Sequence, residues 1–347
     1  MPHSGRIPGR TMLRKMTFFG SLLFALWGCA RAPGFAEEIL VADFRGREIR
    51  LSRPAQRIVC LIESALSGLY MLGAEDRVVG ISTNIYQNVF PYYASMDRRI
   101  QKRELPTPGN WDFVNLESVI ALRPDLVVIW AKQSESIAVL EERGIPVFGI
   151  FLNRKEDVYR AVRSLGRLTG TEGRAEEIVR YAQEEIARVA GKAEKIPVSQ
   201  RPRVYYMWAQ GNLETSCGGS TVDDLISLAG GRNVCASLPQ EHAVVSLEKI
   251  LTWNPEVIVM WYNERKDPQD VLKDPQWRSL RAVRDRRVHE FPEVFLCDLW
   301  TLKFQHAVKM VARWCHPALF ADVDLEKEKG RMLEFLYGHK IRGSSKR

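Results

Sequence analysis

The residues of this chain that could do chemistry point to binding rather than turnover. Cys217, ahead of Gly218-Gly219, is the best-placed nucleophile, yet no histidine stands at a recognisable partnering position. No Cys-x-x-Cys occurs, so neither a thioredoxin-like site nor a zinc knuckle is indicated. Gly218-Gly219-Ser220-Thr221, opening a helix, could hold an anion on backbone N–H groups, but it lacks the lysine and spacing of a P-loop. His289 and His306 are isolated in strand and helix patterns, and Trp314-Cys315-His316 has no partner motif. No metal cluster, resident cofactor or catalytic residue is therefore expected. A haem iron would need an axial ligand, for which His242, Tyr86 and Tyr262 are candidates without forming a compelling pair.

What remains is an aromatic and amide-rich set whose position depends on the strands that carry it. Leu116–Trp130 returns as Leu247–Trp261 at an offset of 131 residues without a gap. Each copy reads as an amphipathic helix, a Pro-acidic turn and a buried parallel strand. Two such units predict an α/β protein of two Rossmann-like lobes with parallel sheets. Further strands are expected at Arg57–Ile62, Val78–Ile81, Val147–Ile150, Arg203–Trp208 and Arg287–Phe291, and a long apolar helix at Leu299–Trp314. An uninterrupted helical pattern from Thr171 to Lys195 would reach about 36 Å, long enough for a spine crossing between lobes. The expected organisation is a signal peptide (1–28), an anchor, linker and small β-hairpin (29–56), a first lobe (57–170), the spine (171–195) and a second lobe (201–347).

Ligands of open α/β sheets sit beyond the carboxyl ends of the strands. That rule selects Glu63, Ser82, Asn84, Tyr86, Asn110, Trp111 and Trp130 in the first lobe. In the second it selects Trp208, Gln210, Asn212, Gly219, Ser220, Tyr262 and Asn263, with the stretch from Pro292 to Trp300. A mouth of aromatic planes and neutral donors, with few charges, suits a bulky organic chelate or a partly enclosed oxyanion.

The N-terminus reads as an export segment: Arg6, Arg10, Arg14 and Lys15 precede an uncharged run from Met16 to Trp27. Leu26-Trp27-Gly28-Cys29 looks like a lipobox, making Cys29 the expected lipidation site; cleavage after Ala32 or Ala36 is the rival. Of the formal charge of +8, the chain from Cys29 onward carries +4, because residues 1–28 hold four basic and no acidic side chains. No basic stripe interleaved with aromatics appears, so nucleic acid is not an expected partner. Cys60 and Cys315 read as buried thiols; Cys217 with Cys235, or Cys297 with Cys315, could close a disulfide.

In order and spacing these stretches resemble the substrate-binding proteins of ABC importers, of the class with a rigid interlobe helix that delivers ferric siderophores, haem, cobalamin and some metal oxyanions. The likeness is carried by Arg57–Val59 through Leu72-Gly73-Ala74-Glu75-Asp76-Arg77-Val78-Val79-Gly80, by the two repeats, by Gly219–Ile226 with Ala229–Val234, and by His316–Phe320 with Asp322–Asp324. It implies export to the periplasm, as a lipid-anchored or soluble monomer that hands a metal chelate to a permease and its ATPase. A ferric siderophore or corrinoid is the preferred cargo; a molybdate-type oxyanion held near Gly219-Ser220 is the runner-up, with haem beside it. An import-independent sensor or scaffold is the alternative of another class. The resemblance also implies acidic permease contacts, which fall on Asp223 and Asp224 in the second lobe and near Ser67 in the first, where Glu63 is a possible substitute.

Overall fold

A computed structural model describes residues 38–338 and Ile341; the export segment and Cys29 lie outside the described residues. The chain enters through a hairpin, β1 (Ile39–Ala42) and β2 (Glu48–Leu51). Its turn is tied by Asp43, whose buried carboxylate accepts from the N–H groups of Arg45, Arg47 and Gly149. The hairpin thereby docks on an edge strand of the first sheet, and Phe44 N–H donates to Gly149 O at 3.0 Å. Covering an edge in this way removes a row of unpaired backbone groups from solvent. A Cβ at 149 would stand 2.7 Å from Arg45 Nε, so any other residue there requires the Arg45 side chain to shift.

The first lobe holds β3 (Ile58–Cys60), β4 (Val78–Ile81), β5 (Leu126–Trp130) and β6 (Val147–Ile150), all parallel, in the order β4-β3-β5-β6. The second holds β7 (Arg203–Met207), β9 (Arg232–Asn233), β11 (Val257–Met260) and β12 (Val288–Glu290), again parallel, in the order β12-β11-β7-β9. The short antiparallel pair β8 (Glu214–Thr215) and β10 (Ala243–Val244) stands beside it, next to a disulfide between Cys217 and Cys235. Cys60, Cys297 and Cys315 are buried free thiols. Each central strand is apolar on both faces, as sheets covered on both sides require. In β5, Leu126 and Val128 face the large core shared by the lobes while Val127 and Ile129 face a separate outer cluster. In β11, Val257 and Val259 face that shared core, and Ile258 and Met260 the outer one.

The two repeats are built alike. The helix caps are Asn115, accepting from Ser118 N–H, and Ser246, accepting from Lys249 N–H. Arg123 (φ 47°) and Asn254 (φ 44°) take the left-handed conformation at matched positions before the prolines. Asp125 then accepts from Arg57 N–H at 2.8 Å, and Glu256 from Arg203 N–H at 3.0 Å. The same arginines reach back to the carbonyls of Arg123 and Asn254. One acid thus joins each repeat to the start of the neighbouring strand, which explains why the Pro-acidic pair recurs.

Several connections tie the lobes. The spine, α-helix Glu172–Ala193, is about 33 Å long at 1.5 Å per residue, slightly shorter than the pattern predicts. It packs on the helix Lys155–Thr169 through Gly166, where a Cβ would lie 2.6 Å from that of Ala175. On the second-lobe side, buried Glu185 of the spine pairs with buried Lys309, which also meets Glu328. The C-terminal helix Leu325–Tyr337 returns to the first lobe, where Tyr337 Oη and Ser67 Oγ are 2.6 Å apart. A third contact joins Arg154 to Asp224.

Two segments depart from expectation. The helix expected at Leu299–Trp314 begins only at Phe304, after a short helix Val294–Cys297. Asp298 accepts from Trp300 N–H, and Thr301 Oγ1 accepts from Lys303 N–H, so local side-chain bonds hold a turn in place of the first helical residues. Short helices at Thr83–Asn88, Phe90–Met96 and Arg98–Gln101, too brief for a clear period, fill the stretch after β4.

Candidate functional site

Between the lobes lies a cavity of about 560 Å³, reached from the carboxyl ends of both sheets. From the first lobe, Glu63 opens the helix Glu63–Met71, separated from the strand Ile58–Cys60 only by Leu61-Ile62. Ser82, which caps the helix after β4, donates to Glu63 Oε1 at 2.5 Å and accepts from Asn84 N–H. Burial pushes the Glu63 carboxyl up, against the pull of the Ser82 hydrogen bond. Trp130 ends β5, tilted on Phe151 with ring centroids 5.0 Å apart. Trp111 stands half-exposed at the rim on a loop held by Asn110 Oδ1, which accepts from Asp112 and Phe113 N–H, and by Gln133, which donates to Trp111 O.

The second lobe contributes an aromatic wall. Trp208, just past β7, lies parallel to Trp300 (5.9 Å, 1°) and to the imidazole of His242 (5.6 Å, 20°), with Trp261 tilted against both tryptophans. Trp208 Nε1 donates to Ser216 Oγ at 2.8 Å, so the indole orientation is fixed before any ligand arrives. Below the wall are Phe295, Asp298 and Lys303. Lys303 is buried; its ammonium donates to Ser67 Oγ (2.9 Å) and Tyr337 Oη (3.0 Å) and lies 3.8 Å from the centre of the Phe295 ring. Burial pushes this lysine down to about 8, with Asp298 opposing the shift. Burial likewise pushes Asp298 up, and the lysine pulls it back.

Of the residues selected from sequence, Glu63, Asn84, Trp111, Trp130, Trp208 and Gln210 line this cavity. The others are placed elsewhere. Ser82 is buried behind Glu63. Tyr86 donates to Leu105 O and is covered by Arg103. Asn110 shapes the Trp111 loop, the carbonyl of Asn212 accepts from Tyr205 Oη, and Asn263 donates to Ala209 O beside Gln210. Tyr262 lies outside the lining and its neighbour Trp261 within it, since successive side chains of an extended segment point to opposite faces. Gly219 and Ser220 are also outside: Gly219 N–H donates to Asp223, and the Ser220 hydroxyl donates to Cys217 O while capping its own helix. That loop therefore spends its donors on itself.

Phe295, Asp298 and Trp300, within the selected stretch from Pro292 to Trp300, also line the cavity, whereas Trp261, Lys303 and Tyr93 are main lining residues that the strand-end rule did not select. For Trp261 the signal was present, since it matches Trp130 in the repeat. The expectation of few charges is corrected: Glu63, Glu241, Asp298 and Lys303 all reach the lining.

The residues expected as permease contacts have partners within the chain. Asp224 is buried, accepting from Arg154 Nη2 at 2.9 Å and from Lys155 N–H at 3.1 Å. With Thr221 Oγ1 donating to Asn153 O, it closes the third interlobe connection. Asp223 accepts from Asn233 and Gly219 and stays half-buried, and Ser67 is buried against Lys303 and Tyr337. Among the described residues no three His, Cys, Asp or Glu side chains gather to hold a metal ion, and no helix is long and apolar enough to cross a membrane.

A family model described as periplasmic binding protein matches residues 58–294. The molybdate-binding protein MolA of Haemophilus influenzae is 24% identical over 313 residues, covering 83% of this chain and 88% of that protein. The vitamin B12-binding protein of Vibrio parahaemolyticus is 24% identical over 263 residues, covering 75% of this chain and 86% of its own length. Among solved structures, Haemophilus influenzae MolA bound to molybdate aligns with a TM-score of 0.76 at 24% identity, covering 87% of this chain and 99% of that one. A periplasmic solute-binding protein of Veillonella parvula aligns at 0.71 and 24% identity, over 87% and 94% of the two chains.

Proposed function

Because the chain belongs to the periplasmic binding protein family, we propose that its cleft captures a bulky metal chelate, a corrinoid or ferric siderophore, for an ABC importer. The observation that carries this reading is the cavity of about 560 Å³ walled by Trp111, Trp130, Trp208, Trp261 and Trp300. That volume suits a drug-sized ligand, for which apolar walls with a few fixed polar groups supply affinity and orientation. A five-atom oxyanion would fill little of it and would face Glu63, Glu241 and Asp298. The Gly219-Ser220 donors that might have held an oxyanion lie outside the cavity and are already engaged. The likeness to a molybdate-binding protein and to vitamin B12-binding proteins at similar identity does not itself choose between the cargoes.

Five of the nine tryptophans line the cavity, so intrinsic fluorescence should report occupancy. Purified mature protein titrated in parallel with ferric chelates, cobalamin, haem and molybdate is expected to respond to a chelate. Trp208→Ala should weaken that response by about tenfold, the loss of roughly 1.4 kcal/mol of stacking and burial. Saturable binding of molybdate with no response to any organic chelate would refute the reading. Delivery of the cargo is tested with the cognate permease and ATPase in proteoliposomes; failure to stimulate transport would favour a sensor or scaffold. We further propose diacylglyceryl attachment at Cys29, for which mass spectrometry of the mature N-terminus is decisive.

A further inference from the structure

The ionisable groups of the cavity lining are unequal in what they leave free for a ligand. Lys303 gives two of its three ammonium N–H groups to Ser67 and Tyr337, neither of them a lining residue, and lies over the ring of Phe295, which is one. Its charge offsets that of Asp298. His242 is spent as well: Nε2 meets Glu214 Oε2 at 2.9 Å and the ring lies flat on Trp208. Lys132, the first-lobe cation opposing Glu241, is outside the lining and stands 4.4 Å from the centre of the Phe151 ring.

The acids are differently disposed. Glu63 receives the Ser82 hydroxyl on Oε1, and Asp298 receives Trp300 N–H on Oδ1. A carboxylate has about four accepting positions, so both keep capacity for a ligand. Glu63 comes from the first lobe, and Glu241 and Asp298 from the second. The indole faces between them carry negative quadrupole potential and also attract cations. Two independent features of one cavity, acid placement and aromatic faces, therefore favour the same sign of charge.

We propose that this cleft selects metal chelates bearing a positive charge, with Glu63 and Glu241 as specificity-determining residues and Asp298 as the acid at the floor. The inference rests on the chelate reading above and adds the charge of the cargo. Anionic chelates are disfavoured because the one lysine of the lining, Lys303, is outnumbered by Glu63, Glu241 and Asp298, and burying a further negative charge beside carboxylates is costly.

Matched pairs test it. One pair is a ferric trihydroxamate with a free terminal ammonium and its N-acetylated neutral form; the other is aquocobalamin in its cationic form and neutral cyanocobalamin. A ferric tris-catecholate and molybdate supply the anions. In at least one pair the cationic member should bind about tenfold more tightly, a difference of about 1.4 kcal/mol, and neither anion should compete. Glu63→Gln combined with Glu241→Gln should bring that pair within about twofold by the same conversion, with thermal melting verifying the fold. Asp298→Asn is the less safe variant because it leaves Lys303 buried without its nearest counter-charge, so it is read only alongside the glutamine pair. Equal binding of the members of both pairs, tightest binding of an anion, or a preference that survives the glutamine variants overturns the proposal while leaving the chelate site standing. Absence of binding by every chelate, in either charge form, overturns the chelate reading and this inference with it.

Discussion

His306 and His289 show how single residues of this chain set its response to pH. Burial pushes His306 down to about 3, with Lys309 and Lys329 adding to the shift, and its Nδ1 has no partner among the described residues. Burial also pushes His289, stacked on Trp314, down to about 4. In the unfolded chain each imidazole takes up a proton near 6.5, whereas the native form refuses it until far lower pH. The unfolded state then binds more protons, so stability present above pH 6.5 is lost as the pH falls toward 4 and 3. Glu63 and Asp298 act with the opposite sign: their raised values mean that native protein gains stability from them on acidification. Urea denaturation near neutral pH and at about pH 4.5 should show that His306→Gln reduces the acid loss by on the order of 2 kcal/mol. An unchanged loss in the variant would mean that the imidazole is not the group responsible. The burial of His306 was legible as an apolar helical pattern around it; its lack of a partner was not, because that depends on what other elements bring near.

At the scale of elements, the second lobe's β8–β10 pair depends on a covalent tie. Cys217 and Cys235, 18 residues apart, are buried with Ala243 in a small cluster separate from the main cores. So small a cluster supplies little apolar stabilisation, and closing a loop of this length stabilises by about 3 kcal/mol in the chain-entropy account. Reduction, or Cys217→Ser with Cys235→Ser, should lower the unfolding free energy by about that amount and increase hydrogen exchange in the segment carrying Glu241 and His242. Identical denaturation midpoints with and without reductant would refute this. The sequence offered two disulfide pairings. The structure selects Cys217–Cys235 and leaves Cys297 and Cys315 as thiols, with Cys297 lying against Met310 instead.

For the whole molecule, the spine, the returning C-terminal helix and the Arg154–Asp224 contact restrain the lobes together. Of these, Asp224 is the most accessible to experiment, because Arg154 is about half-exposed and the pair's Coulomb term is screened. Its acceptance of Lys155 N–H is the better-shielded part. Asp224→Ala should cost about 1 kcal/mol and raise hydrogen exchange around residues 153–157 and 219–224, with faster ligand release. Unchanged exchange and release, together with loss of permease-stimulated ATP hydrolysis, would return Asp224 to the docking role that the family resemblance implies.

Two lobes, parallel strands and a spine helix were determined by the sequence itself, because each follows from patterns within about thirty residues: a β-branched run, a 3.6-residue period, a Pro-acidic turn. The repeat Leu116–Trp130 and Leu247–Trp261 needed no knowledge of contacts to be seen. Selection of strand ends also placed Glu63, Trp130 and Trp208 at the cavity. Only the tertiary structure decided the cavity's floor and its charge. Lys303 meets Ser67 across 236 residues of chain, and Ser67 meets Tyr337 across 270. It likewise decided that the Ser220 hydroxyl bonds within its own lobe and that Asp224 bonds across the junction to Arg154. Local periodicity says which face of an element is buried. Which distant side chain completes a buried charge or hydroxyl is settled when the lobes dock, since an unpaired polar group there is too costly to leave.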